Sequence, residues 1–259
     1  MPAVHALRSS MCQIQLLAMR KGLEMASDLK NFYDEKYVGG VDLRTIRRSA
    51  WPRTRDEAVV GALVGGKNYL EIGAGDGSVA AAARPHFESV TLVEISSSRG
   101  SALTESFAGD AGFRVVVADI EDGYGPVNDK IYDVVVMNAV IEHLVDPCSA
   151  LAGALEVMPV GGTLLITTPN IAKWTRRTKL VAGRFPSTAS RNEGLERYEG
   201  GPTTLYDEGH LHYFTYRSLA AVLSRAGFAK VEPLWFGRPV VATRIMPKLF
   251  SDCFVRAFR

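Results

Sequence analysis

The stretch Glu71-Ile72-Gly73-Ala74-Gly75-Asp76-Gly77-Ser78 decides the fold. It follows an apolar run, Tyr69-Leu70-Glu71-Ile72, and precedes a helical pattern from Gly77 to Ala83. Glycines at such a junction let a buried strand turn sharply into a helix and let a ligand approach the backbone. The spacing is G-x-G-x-G, with the third glycine two residues after the second, whereas a dinucleotide fingerprint places it three after. Two acids, Glu71 and Asp76, flank the turn, where they would repel a pyrophosphate.

Downstream, the same architecture repeats. Val90–Val93 ends in Glu94, Phe113–Val117 in Ala118-Asp119, Tyr132–Met137 in Asn138, and Gly162–Thr167 in Thr168-Pro169-Asn170. These runs are continuous and mostly β-branched, as strands buried on both faces should be. Helical patterns separate them at Ser98–Ala108 and Cys148–Val157, and another, Arg55–Val64, leads into the first strand. Such alternation predicts a doubly wound, mostly parallel α/β sheet. Glu94 lies about 20 residues past the glycine loop, where an acid can accept both hydroxyls of a ribose. Asp119, followed by Ile120, can accept from an adenine amino group. A ligand that has adenosine, an ammonium and a sulfonium but no phosphate suits these acids: S-adenosyl-L-methionine.

Taken together, these motifs make residues 68–234 resemble the class I S-adenosylmethionine-dependent methyltransferase family, most closely a bacterial small-molecule or glycan-type branch. Carrying the resemblance are the glycine loop, the segment Asn138-Ala139-Val140-Ile141-Glu142-His143-Leu144, and the block Gly209-His210-Leu211-His212-Tyr213-Phe214-Thr215. The N-terminal Phe32-Tyr33-Asp34-Glu35-Lys36-Tyr37 is similar to the segment that folds over the cofactor in that branch. The resemblance implies a Rossmann-like sheet of seven strands with a lid insertion. It implies that Glu71, Gly73, Gly75, Glu94, Asp119 and Asn138 surround the cofactor; Asp76 and Gly77 in the same loop and Ile120 beside Asp119 complete the expected cofactor site. Relatives of this type often methylate sugars, glycan precursors or lipid-linked intermediates, and a quinone-like or phenolic acceptor is the alternative. A non-catalytic or regulatory relative that kept the cofactor pocket is a third reading.

Methyl transfer needs the acceptor held about 3 Å from the methyl group, with water excluded. A hydroxyl acceptor also gains from a base. Candidates are His143, just after the fourth strand, then His210 and His212, whose alternate spacing puts both on one side of an extended segment. In ubiquinone-type O-methyltransferases a Glu three residues before the Glu-His pair helps bind magnesium. Here Glu142-His143 follow Ala139, so no metal is expected.

Residues 171–209 read as a substrate lid. Lys173, Arg176, Arg177, Lys179, Arg184 and Arg191 are cations with no acid between them. That run fits either a solvated loop or recognition of an anionic acceptor. Glu142, Trp174, Arg176, Arg177 and Tyr206 are the substrate-binding candidates. Tyr216–Ala226 is an amphipathic helix stopped by Gly227, followed by expected strands at Lys230–Leu234 and Val240–Thr243. Pro247–Arg259 reads as a basic amphipathic helix, because Phe250, Phe254 and Phe258 recur every four residues. Such a tail suits a membrane surface, and better still packing on the sheet or on a second copy in a homodimer. Three divisions result: a helical cap over 1–54, the methyltransferase domain over 55–246, and the tail over 247–259.

With 259 residues, 47% of them apolar, the chain can bury one large core. Its formal net charge of +2 gives no electrostatic case for nucleic acid as a partner. Three cysteines without a C-x-x-C pair fit reduced thiols in a cytoplasmic protein. No apolar run reaches membrane-spanning length. The N-terminus lacks the features of a signal peptide, and Met25 offers a second start. A short-chain dehydrogenase is disfavoured because Tyr33 and Lys36 are too close together and precede the loop. A DNA amino-methyltransferase is disfavoured because Asn138-Ala139-Val140-Ile141 replaces the expected Asn/Asp-Pro-Pro-Tyr.

Overall fold

The computed structural model describes residues 30–31, 33–34, 40–188 and 206–259. Residues 40–54 form an irregular strap whose Val41 and Ile46 pack on the core. Thr54 then caps α1 (Arg55–Ala62) by accepting from the Glu57 amide, and Asp56 and Glu57 occupy the dipole-favoured first turn. β1 (Gly66–Ile72) feeds the glycine loop and α2 (Ser78–Ala83). β2 (Phe87–Glu94), α3 (Ser97–Ser106), β3 (Phe113–Val117) and β4 (Val134–Asn138) follow. α4 (Pro147–Glu156) starts on Asp146, which accepts from two amides, with Pro147 at the first position.

β5 (Thr163–Thr168) leads to α5 (Trp174–Val181). α6 (Tyr216–Ala226) opens with a Thr215–Ser218 capping box and closes on Gly227 at φ 112°. β6 (Lys230–Leu234), α7 (Val240–Ile245), α8 (Pro247–Phe250) and β7 (Cys253–Phe258) complete the chain.

The sheet has seven strands in the order β3-β2-β1-β4-β5-β7-β6. β1 to β5 are parallel, and β7 runs antiparallel to both neighbours. Side-chain alternation divides the core between two faces. Leu70, Val135, Met137, Leu164 and Ile166 point to one, under α4 and α6. Tyr69, Val134, Val136, Leu165 and Phe254 point to the other, under α1, α2 and α3. The strand order reverses direction between β2-β1 and β4, so the carboxyl ends of β1 and β4 flank a switch-point crevice.

Two C-terminal expectations are corrected. Val240–Thr243 is not a strand but the start of α7, in which the Thr243 amide bonds the Pro239 carbonyl at 2.9 Å. The tail is not an amphipathic helix. Its end is β7, inserted between β5 and β6 with Thr163 opposite Phe258 and Thr168 opposite Cys253. A four-residue recurrence is an even number, so it marks one face of a strand as well as one face of a helix. Phe254 is buried through that strand face. Among the described residues, no helix is long and apolar enough to cross a membrane.

Candidate functional site

Two adjoining cavities occupy the crevice. The smaller, about 150 Å³, lies over the ends of β1, β2 and β3 and is lined by Gly73, Gly75, Glu94, Ile95, Asp119, Ile120, Val140 and Leu144, among others. Its floor is the glycine turn. Gly75 has φ 58°, a left-handed conformation, and a Cβ there would meet no atom of the described residues beyond its chain neighbours within 4 Å. The space above it is open for a ligand. Gly77 has φ 75° and answers to packing instead: a Cβ would lie 2.7 Å from Leu103 and 2.9 Å from Phe107. It lets α2 pack closely against α3.

Glu94 is buried at the end of β2 and is held by the Ser96 amide at 3.1 Å and the Gly75 amide at 3.3 Å. Burial raises its pKa against those amides. Asp119 ends β3 and accepts from the Glu121 amide at 2.9 Å, with its pKa also raised by burial. The result is a slot with apolar walls from Ile95, Ile120 and Leu144 and a carboxylate on each of two adjacent strand ends, a shape and a pair of acceptors that suit an adenosine.

The larger cavity, about 480 Å³, is a polar chamber. Tyr33, Gly73, Gly75, Ala139 and His143 line both cavities and form the passage between them. Ala139 has φ 61°, strain stored where β4 ends. On the near side stand Asp56, Glu71, Asp76 and Asn138. Asn138 is fixed at both ends, donating to Asp56 at 2.9 Å and accepting from the Thr167 hydroxyl at 2.6 Å. Arg44 straps the mouth, with Nε 2.8 Å from Asp76 and Nη2 3.0 Å from Asp56. Partial burial pushes Asp76 up, but Arg44 and Ser78 more than reverse this, so it stays below its ordinary value. Glu71 is different. Burial pushes it up to about 8 against the Tyr69 hydroxyl, and Asp56, Asp76 and Glu94 add to the rise. This concentration of acid with one proton retained suits a ligand ammonium.

The far side holds Glu142, His143, His210 and Thr188. Burial pushes Glu142 up to about 7, against its own backbone N–H and the nearby Thr168 hydroxyl. That hydroxyl is out of hydrogen-bonding geometry, and both it and Glu142 Oε2 are buried without a hydrogen-bond partner among the described residues. His143 Nδ1 lies 3.1 Å from the Gly209 carbonyl, and its ring meets that of His210 edge-on at 4.7 Å. His210 Nδ1 lies 2.6 Å from Thr188 Oγ1. Thr188 donates in turn to the buried Asp207 at 2.8 Å.

The structure therefore brings together all of the expected cofactor residues except Gly77, which lies just behind the loop, along with Glu142, His143 and His210. It does not bring His212 to either cavity. The Leu211 and His212 amides both bond the Glu142 carbonyl, at 2.8 and 3.1 Å. Two successive amides on one oxygen kink the chain, so the alternation expected of an extended segment fails and His212 faces Phe214 instead.

Trp174, Arg176 and Arg177 line neither cavity. Arg176 and Lys173 grip Asp252 at 2.6 and 3.0 Å. Arg177 folds back on the Ala172 carbonyl, and Trp174 packs near Phe250. The lid cations lacked a local acid, but β7 brings one from a distant part of the chain. The side chain of Tyr206 and residues 189–205, with Arg191, lie outside the described residues. Arg44, Arg55, Asp56 and Thr188 were missed. Asp56 reads locally as an ordinary first-turn acid, and nothing near Thr188 marks it.

A family model described as "Methyltransferase domain" matches residues 43–232. The chain belongs to this methyltransferase family. The glycine turn, the slot and the acids fit S-adenosylmethionine, its methyl donor.

Solved structures agree on the fold. The CurJ carbon methyltransferase is 20% identical with a TM-score of 0.50, over 77% of this chain and 50% of that one. This methyltransferase thus spans half the length of that neighbour. An S-adenosylmethionine-dependent methyltransferase from Mesorhizobium loti is 16% identical with a TM-score of 0.53, over 80% of this chain and 98% of that one. A chain in the complex between the Haloferax volcanii Trm112 methyltransferase activator and a methyltransferase is 12% identical with a TM-score of 0.54, over 77% of this chain and 86% of that one. No curated protein matches by sequence.

Proposed function

We propose that this methyltransferase modifies a hydroxyl group on a polar small molecule, a sugar or a lipid-linked glycan intermediate. The observation that carries the reading is the chamber beside the cofactor slot, walled by charged and polar side chains and joined to the slot at His143. A flat phenol or quinone would favour apolar and aromatic walls.

Bound S-adenosylmethionine supplies a methyl group made electrophilic by the sulfonium. The residues of the chain divide the remaining work. Glu94 and Asp119 hold the adenosine; Glu71, Asp76 and Asn138, with Asp56 behind them, face its amino-acid end. Tyr33 and His143 close the passage, so the acceptor meets the methyl group from the chamber side. Positioning of this kind supplies several kcal/mol of the rate enhancement. The Glu142–His143–His210 cluster takes charge of the acceptor's hydroxyl proton, which must leave as the new carbon–oxygen bond forms. Arg176 and Arg177 are assigned to holding α5 in place rather than to the acceptor, because Arg176 bonds Asp252 just before β7 and Arg177 bonds the Ala172 carbonyl just before α5.

The test is methyl transfer from labelled S-adenosylmethionine to a panel of sugar phosphates, nucleotide sugars and phenols, with products identified by mass. Sugar O-methylation that His143→Ala reduces by about 100-fold or more supports the reading. Turnover confined to phenols or amines would replace it.

A further inference from the structure

Glu142, His143 and His210 each place one ligand atom within 4.8 Å of the others. Two imidazoles and a carboxylate converging on one point form a donor set for a divalent transition metal rather than for magnesium, which prefers oxygen. We propose that these three side chains bind such an ion, zinc foremost, at the wall of the acceptor chamber. The sequence argued against a metal because Ala139 stands where a further carboxylate was wanted. The fold supplies another ligand from a distant segment: His210, some 67 residues on from His143.

Three further features support the assignment. First, Glu142 is 1% exposed, and its Oε2 has no hydrogen-bond partner among the described residues. A buried carboxylate oxygen left unpaired is costly, and a cation removes that cost. Second, His143 Nδ1 faces the Gly209 carbonyl, which can only accept, so that nitrogen carries the proton and Nε2 presents the lone pair. Third, Thr188 donates its hydroxyl proton to Asp207 and so accepts from His210 Nδ1, leaving the His210 lone pair on Nε2.

Asp207 is itself buried and bound by the Ser187 hydroxyl at 2.5 Å and the Tyr213 hydroxyl at 3.1 Å. A carboxylate relayed through Thr188 to a histidine is the outer-sphere arrangement that fixes ring orientation and raises ligand basicity.

The distances are close to those of a bound site. Bonds of about 2.1 Å in a tetrahedron put ligand atoms about 3.4 Å apart, so rotations moving these atoms by about 1 Å complete the sphere. Three protein ligands leave one position toward the chamber, open to water or to an oxygen of the acceptor. An ion there makes a bound hydroxyl more acidic, so that its proton passes to water in the chamber and the three side chains act on it through the ion rather than as a base. The inference rests on the proposed function only for that role, not for the presence of the ion.

The test uses untagged full-length protein stripped with chelator, then titrated with Zn2+, Mn2+ and Mg2+ by calorimetry, with Mn2+ also followed by EPR. We expect one equivalent of Zn2+ at micromolar affinity or better, weaker Mn2+ and no stoichiometric Mg2+. His210→Ala and Glu142→Gln should each weaken Zn2+ at least 100-fold, and Thr188→Val about tenfold. S-adenosylhomocysteine binding, measured on every sample, reports that the variant is folded and tests the cofactor reading separately. Absence of Zn2+ and Mn2+ binding at 100 µM in protein that binds S-adenosylhomocysteine overturns the proposal. So does Zn2+ binding indifferent to all three substitutions.

Discussion

The two sides of the passage at His143 are built differently. On the cofactor side, Asp56 and Arg44 apart, the residues sit at a strand end or in the turn that follows it: Glu71 and the glycines at the end of β1, Glu94 at the end of β2, Asp119 after β3 and Asn138 closing β4. On the acceptor side, the residues come from scattered segments. Glu142 and His143 lie in a single helical turn, Thr188 follows α5, and Asp207 and His210 precede α6. A parallel sheet places its carboxyl ends together whatever the loops contain. The acceptor wall exists only through long-range bonds, such as Glu142 to the Leu211 and His212 amides and Thr188 to Asp207. The cofactor side is therefore set by the scaffold and the acceptor side by loops, which is how one fold serves many acceptors.

The largest effect that sharpens this contrast is at the glycine turn. Gly77→Val puts a β-branched residue at φ 75° and drives its Cβ into Leu103 and Phe107. We expect a stability loss of about 3–5 kcal/mol in urea unfolding, with cofactor binding lost alongside. A loss under 1 kcal/mol would mean that the turn is not the rigid element described.

Next comes Arg176→Ala. It removes one of two cations from Asp252 in a pair only 14% and 22% exposed, and should lower stability by about 1–3 kcal/mol. The acceptor KM should stay unchanged. A raised KM at unchanged stability would return Arg176 to the acceptor site and blur the division between the two sides.

A subtler effect is pH dependence through Glu71. Its folded-state pKa, raised to about 8 by burial, lies above its ordinary value. Its contribution to the stability of the free protein is therefore complete below about pH 4.5 and is lost as pH rises through about 8. Pairing with the ammonium of the cofactor requires the ionised carboxylate, so binding releases a proton below pH 8. Affinity should rise with pH by up to about tenfold per unit toward 8, then level off. Glu71→Gln should flatten that profile. Calorimetry in buffers of different ionisation enthalpy reads the proton directly, and zero release at pH 7 would contradict the assignment.

How far the sequence could be read follows from the same contrast. The five parallel strands and the loop acids were legible because each is a local pattern: an apolar run, then an acid or glycine at its end. β7 was not, because Phe250, Phe254 and Phe258 at every fourth position satisfy both helix and strand, and only pairing with β5 and β6 decides. Arg176 read as a ligand-binding cation because its partner, Asp252, lies 76 residues away. His212 read as a partner of His210 until two amides on one carbonyl broke the alternation. Asp56 and Thr188 carry no local mark and enter the chamber through tertiary packing alone.

The most direct test of the central claim is calorimetric titration of the protein with S-adenosylmethionine and S-adenosylhomocysteine, beside Glu94→Ala and Asp119→Ala. The account predicts micromolar binding of both compounds, weakened by each substitution at least tenfold. Failure of the unsubstituted protein to bind either compound below millimolar concentration would contradict it.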